Sequence, residues 1–249
     1  MARNSYDIQT AEAYKSVREI PRDGLGEWRE AVRHHLSPKP ELTLVDIGAG
    51  TGQFATAFAD WFGIQVVAVE PSAAMRDRIP RRSSVDVRAG DATRLPLPDE
   101  SADAAWLSLV IHHVSDLEAA AREIRRVLRP GAPVLIRQGF ADRLDDRIEM
   151  IRWFPETARV AATFPSVDET CGAFAAAGFW LDALEPVRET YPTSLEAVLG
   201  QLEALRRADT TLRSLTDDEF RRGAERLRHA VDQGNETVRA NWLDLLVLR

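Results

Sequence analysis

Short apolar runs alternate along this chain with stretches in which apolar residues recur every three or four positions. Runs of strand length lie at 42–47, 65–69, 85–88, 104–110 and 134–140. Helical patterns separate them at 52–62, 72–79 and 115–128. In the last of these Leu117, Ala120, Ala121, Ile124, Val127 and Leu128 share one face, and Pro130-Gly131 ends it. Such alternation predicts an α/β protein: a parallel sheet with helices on both faces. A helix from Ser166 to Gly178, a strand at 180–186 and a closing strand at 242–248 complete the series. Four Ser/Thr–Glu pairs read as capping boxes that begin helices: Ser115 with Glu118, Ser166 with Glu169, Thr193 with Glu196, and Thr216 with Glu219.

Two regions fall outside the alternation. Residues 1–40 predict one or two helices ahead of the first strand, and 193–236 predict two helices between the last two strands. Leu195, Val198, Leu199, Leu202 and Leu205 make one apolar face there, and Phe220, Ala224, Leu227 and Val231 make the other. Faces of this kind must bury against something. No repeat, low-complexity tract or Gly/Ser/Pro-rich linker interrupts the 249 residues, so 1–249 is expected to be a single domain.

Composition narrows the function. A net charge of −7 with mixed signs disfavours a nucleic-acid surface. Cys171 is the one cysteine, so no internal disulfide and no cysteine-based metal site is expected. The first residues lack an apolar signal core, and no apolar run approaches a membrane span. The expectation is a cytoplasmic protein that contacts neither membrane nor nucleic acid.

The sharpest chemistry lies in Leu44-Val45-Asp46-Ile47-Gly48-Ala49-Gly50-Thr51-Gly52-Gln53-Phe54, an apolar strand running through three glycines into a helix. Such a turn makes room for a nucleotide-like cofactor at the carboxyl end of the first strand. A dinucleotide fingerprint would want glycine at 53, where this chain has Gln. Downstream, Glu70 ends the second strand, where a carboxylate can accept from a ribose diol. Asp91 follows the third strand, where a carboxylate can accept from an adenine amine and the amide of Ala92 can donate to a ring nitrogen. The fourth strand ends in Ser108-Leu109-Val110-Ile111-His112-His113-Val114 at the same edge.

With Val45–Gly52, Val69-Glu70-Pro71-Ser72, Gly90-Asp91-Ala92-Thr93-Arg94-Leu95-Pro96, His112-His113-Val114 and Glu123–Gly131 in this order, the chain resembles the class I S-adenosylmethionine-dependent methyltransferases. Within that family it looks most like the ubiquinone-biosynthesis-like and natural-product enzymes that act on small molecules. The resemblance covers about residues 41–140 and is specific for fold and cofactor rather than for the methyl acceptor. It implies a Rossmann-like sheet of seven strands with the last antiparallel. It also implies a cofactor-binding core at 41–140, a helical cap at 1–40 and a helical lid at 193–236. The cofactor would be S-adenosylmethionine, leaving as S-adenosylhomocysteine. The resemblance lays the loop of Gly48, Ala49, Gly50 and Gly52 along its methionine part and counts Asp46 and Gln53 among the cofactor-binding residues, although an acid at position 46 is more often a buried structural carboxylate near the loop than a direct ligand. It puts Glu70 and Pro71 at the ribose, Met75 beside the adenosine, Asp91 and Ala92 at the adenine, and Ser108 near the amino group or sulfonium.

Of the histidine pair, alignment with the family favours His113 as the pocket residue, a general base or a polar contact to the acceptor. Tyr14 and Arg18 share a face of the leading helix, and in similar proteins an aromatic there closes over the cofactor. Arg137 and Gln138 end the fifth strand, and Trp153, Phe154 and Phe164 are candidates to wall an apolar acceptor site. No metal is expected. Two competing readings remain at this level: a protein of the same fold that binds the cofactor without transferring methyl, and a nicotinamide oxidoreductase, which Gln53 disfavours. Oxygen, nitrogen or carbon acceptors, and any oligomeric state, fit equally.

Overall fold

A computed structural model describes residues 17, 19–144, 149–191, 194–234 and 239–249. The strands are β1 Thr43–Ile47, β2 Gln65–Val69, β3 Val85–Arg88, β4 Ala104–Ser108, β5 Val134–Gln138, β6 Leu181–Tyr191 and β7 Arg239–Leu248. They form one sheet in the order β3-β2-β1-β4-β5-β7-β6. The first five pair in parallel, and β7 runs antiparallel to both β5 and β6. This is the seven-stranded, mostly parallel α/β sheet that the sequence implies. From β1 the chain winds outward to β2 and β3, then returns to place β4 and β5 on the other side. The reversal opens a crevice at the carboxyl ends of β1 and β4, where open α/β sheets bind ligands.

Successive strand residues point to opposite faces, and each face has its own core. Leu44, Trp106 and Leu135 meet Trp28 and Val32 of α1 (Gly26–Leu36) and Phe54 and Phe58 of α2 (Gln53–Phe62). Val45, Leu107 and Ile136 face the other side. After the one-turn α3 (Ala73–Arg76) come α4 (Leu117–Val127), the short α5 (Glu149–Trp153) and α6 (Ala158–Ala161), and α7 (Val167–Ala175). Ile124 of α4 and Phe174 of α7 close this second core. A third cluster is separate. Trp153 and Phe154 bury with Leu195, Leu202, Leu212, Phe220 and Leu227. These leucines and Phe220 come from α8 (Leu195–Gly200), α9 (Leu202–Ala208), α10 (Thr210–Arg213) and α11 (Asp217–Asp232).

Local chemistry accounts for the departures from the sequence reading. The described part of 193–236 holds four helices, not two, because Asp209 Oδ1 accepts from the amides of Thr211 and Leu212 and starts a new one. Ser194 caps α8 by accepting from Ala197 N, while Thr193 lies outside the described residues. Asp116, not Ser115, caps α4, accepting from Ala119 N at 2.8 Å. The helix read at 72–79 is one turn long: past Arg76 the chain runs on in tighter turns, with Arg78 N donating to Met75 O and Ile79 N to Arg76 O, up to Pro80. The boxes at Ser166–Glu169 and Thr216–Glu219 are both formed.

Candidate functional site

The glycine turn fixes the mouth of the crevice. Gly48, Gly50 and Gly52 all have positive φ (71°, 57° and 82°). At Gly48 a Cβ would lie 2.5 Å from Val110 Cγ2, and at Gly52 it would lie 2.7 Å from Ile79 Cγ2, so neighbours as well as φ demand glycine there. At Gly50 nothing lies within 4 Å of the same position. The turn leaves that space open beside the loop.

Asp46, Gly48, Ala49, Gly50, Thr51, Gln53, Phe54, Ser108, Leu109, Arg137, Tyr191 and Ile20 line one pocket at the carboxyl ends of β1, β4 and β5. Six sequence candidates (Asp46, Gly48, Ala49, Gly50, Gln53 and Ser108) therefore converge. Asp46 of β1 is buried, and the Ala55 amide in the first turn of α2 reaches its carboxyl. Its Oδ2 has no hydrogen-bond partner. Burial, with Glu70 alongside, pushes its carboxyl up to about 8, and the Ala55 amide pulls the other way.

Glu70 joins this group through the loop. Its Oε2 accepts from Gly50 N and its Oε1 from Ser72 N, each at 2.9 Å. Burial raises its pKa, against the pull of those two amides and of Arg76. Gly52 is buried behind the turn, at the N-cap of α2. Pro71, Met75, Asp91 and Ala92 stand outside the pocket lining. Pro71 is exposed and its carbonyl takes Arg76 Nη1, whereas Met75 is buried. Asp91 is exposed one strand over, its Oδ1 held by Thr93 N and Thr93 Oγ1 in a tight turn, and Ala92 is buried behind it. Parallel pairing of Val69 with Arg88 puts Glu70 and Asp91 on the same edge, one and three residues past that pair.

A segment ahead of α1 covers the loop. Gln53 Nε2 donates to Ile20 O at 2.6 Å, Thr51 Oγ1 to Glu19, and Arg22 to Gln53 O and Thr56 Oγ1. Tyr14 and Arg18 lie outside the described residues. His113 does not line the pocket. Burial, and secondarily Arg213 of α10, pushes its imidazole down to about 4. His112 stacks on Phe164 with ring centroids 4.2 Å apart and its Nδ1 meets Gln138 Oε1 at 3.2 Å. The histidines, Gln138 and Phe164 thus form a second wall toward α10. Trp153 and Phe154 are buried in the third cluster instead.

Sequence reading missed a buried ion pair at the far wall. Arg137 of β5 bonds Glu189 of β6, and Tyr191 Oη donates to Glu189 Oε1 at 2.7 Å. Strand parity could have put Glu189 on a buried face, had β6 been read past Pro186. Leu109 is a further surprise: a non-glycine residue at φ 54° directly after β4, in the pocket lining. Such conformers are costly and gather at functional sites. Among the described residues no cluster of His, Cys, Asp and Glu could hold a metal, and no helix is long and apolar enough to cross a membrane.

A methyltransferase domain family matches residues 45–136, the stretch that carries the loop and both acids. The chain is 33% identical over 183 residues to a demethylmenaquinone methyltransferase of Roseiflexus sp. (strain RS-1), spanning 63% of this chain and 75% of that protein. The chain belongs to the class I S-adenosylmethionine-dependent methyltransferases. Another relative in this family, the demethylmenaquinone methyltransferase of Corynebacterium kroppenstedtii, is 38% identical over 109 residues, 44% of this chain. The chain spans about half the length of that methyltransferase, 47%. Among solved structures, a protein of Anabaena variabilis described as a methyltransferase of an antibiotic biosynthesis pathway shares the methyltransferase fold. It has a TM-score of 0.73 at 24% identity, covering 89% of this chain and 96% of that one.

Proposed function

We propose that this chain transfers the methyl group of S-adenosylmethionine to a small, partly apolar acceptor. The observation that carries the reading is the buried Asp46 Oδ2, which has no partner and borders a pocket floored by a glycine turn. A buried carboxylate in that position is stabilised by a cationic donor, and the α-ammonium of the cofactor is one. The second acid supports the same fit. Glu70 keeps acceptor capacity beyond its two amide bonds, which suits a ribose diol. Asp91 and Ala92 are suited to an adenine at the next strand end, Met75 and Pro71 to the adenosine flank, and Tyr14 to closure over it.

When bound, the cofactor supplies a methyl group made electrophilic by its sulfonium. The protein then orients an acceptor in line and excludes water, a contribution of up to about 7–11 kcal/mol in the best intramolecular cases. Ile20, held by Gln53, closes one side. His113, Gln138 and Phe164 are the proposed acceptor wall, beneath a lid formed by 193–236. His113 is neutral at working pH and offers the acceptor a polar contact, while a pKa near 4 makes it a weak base for a hydroxyl or enol proton. The relatives' activity, on demethylmenaquinone, makes a quinol-like ring the first acceptor to try. The domain assignment that accompanies this reading is a single unit, with 1–40 as cap and 41–140 as cofactor core, working in the cytoplasm without nucleic acid.

Titration calorimetry with S-adenosylmethionine tests the cofactor, and acceptor-dependent release of S-adenosylhomocysteine tests the transfer. Absence of binding at millimolar ligand sinks the reading. Binding with no product across quinols, phenols and amines would favour a non-methylating role.

A further inference from the structure

The far wall of the pocket is not apolar. Arg137 is 4% exposed, yet it contributes to the lining. One guanidinium nitrogen bonds Glu189, and Nη1 donates to Ser108 Oγ at 3.0 Å. Its Nε is buried and has no acceptor. Trp28 and Phe54 hold the plane of the group, with ring centroids 5.2 and 5.4 Å from its central carbon. A buried guanidinium fixed on three sides with a donor to spare is a preorganised receptor for an oxyanion.

Asp46 presents the complementary group across the same pocket. β4 lies between the two residues: Asp46 pairs with Trp106, and Arg137 pairs with Ser108, two residues nearer the mouth. Two strand spacings of about 4.8 Å separate their backbones. Both residues line the one pocket, so a small ligand lying across it would have an acid at one end and a guanidinium at the other. An unsatisfied carboxylate oxygen at one end and an unsatisfied guanidinium nitrogen at the other describe the head of an α-amino acid.

We propose that Arg137 is the carboxylate receptor for the amino-acid end of the cofactor, opposite Asp46, and that Glu189 and Ser108 hold its guanidinium in position. This assignment rests on the methyltransferase reading. It makes the pocket a zwitterion clamp, which selects adenosyl ligands by their amino-acid head as well as by their nucleoside. An acceptor bearing a carboxylate is the other source of the same chemistry, and ligands that lack one part or the other separate the two.

The test is calorimetric binding of S-adenosylhomocysteine and of methylthioadenosine, which has the nucleoside and sulfur but no amino-acid head. Wild type should prefer the homocysteine ligand. In Arg137→Lys, which keeps the charge but loses the fork, that preference should shrink about tenfold or more, while methylthioadenosine affinity holds within about twofold. Removing Arg137 alone would strand buried Glu189, so the second variant is Arg137→Met with Glu189→Gln, which leaves no unpaired charge. The same loss of preference is expected there, and intact methylthioadenosine binding reports that the fold survives. Retained preference in both variants overturns the assignment. If turnover alone falls while that preference is retained, the carboxylate belongs to the acceptor and the assignment is likewise overturned. Equal weakening of both ligands means a structural role and also overturns it. Wild type that binds neither ligand defeats the methyltransferase reading itself, a distinct result.

Discussion

Asp46 carries a stability penalty that a ligand would relieve. Its folded pKa of about 8 stands above the ordinary value of 3.8, so folding takes up a proton. The stabilising contribution is complete below about pH 4 and lost as pH rises through about 8. Glu70 is shifted in the same direction. Urea melts of the ligand-free protein should therefore show lower stability at pH 8.5 than at 6.5. Asp46→Asn should flatten that slope and gain about 1–3 kcal/mol at the higher pH. The same variant should bind S-adenosylmethionine at least about tenfold more weakly, since the ammonium loses its counter-charge. Normal binding by Asp46→Asn would remove the main support for the proposed site. His113 behaves oppositely. With its pKa near 4 it stays neutral, so the pH–rate profile should lack an acid limb between 5.5 and 7. A limb in that range that vanishes in His113→Gln would contradict the environment described for it.

At the scale of elements, the three glycines divide by what surrounds them. Gly48→Ala drives a Cβ into Val110 at positive φ and should cost about 2–3 kcal/mol of stability. Gly50→Ala meets open space, so only the φ penalty of about 1–2 kcal/mol remains. Its effect on cofactor affinity should be the larger one, because the methyl group takes up room beside the loop. Thermal melts and calorimetry on the pair separate the two effects. If Gly50→Ala binds as wild type does, the cofactor does not lie there.

Legibility also varied by element. β2 matches its expected bounds because its apolar run ends at Glu70-Pro71, and β3 because Val85 and Val87 alternate with Asp86 and Arg88 just before Gly90. β6 extends five residues past Pro186, through Arg188, Glu189 and Thr190, beyond the strand expected at 180–186. It is an edge strand paired only with β7, and edges tolerate proline and charge. That misreading hid Glu189, and with it the partner of Arg137. The cofactor loop and Glu70 were legible because chemistry and spacing coincide within thirty residues. The pocket's far wall was not, because it joins side chains 52 residues apart that only the sheet order makes neighbours.

The whole molecule couples these parts through ion pairs that cross between helices. Arg159 of α6 forks onto Glu219 of α11 at 2.6 and 2.8 Å, and Arg226 of α11 reaches Glu156 at 3.1 Å and Trp153 O at 3.0 Å. The third cluster is thereby tied to the segment that follows β5 rather than left as a loose appendage. Ligand bound at the crevice should stabilise the assembly as a unit. S-adenosylhomocysteine at one hundred times its dissociation constant should add about 2.7 kcal/mol, a melting shift of about 5–10 °C for a chain of this size. One cooperative transition should move. A second transition that stays fixed would mean that the helices of 194–234 melt on their own.

Strand β7 sits between β5 and β6, although β6 precedes it in the chain. During synthesis β6 therefore leaves the ribosome with no neighbour to pair with, and it waits until the following strand slots in beside β5. The sheet can set Glu189 in register with Arg137 only after β7 has been made, so the far wall of the pocket depends on the last strand of the series.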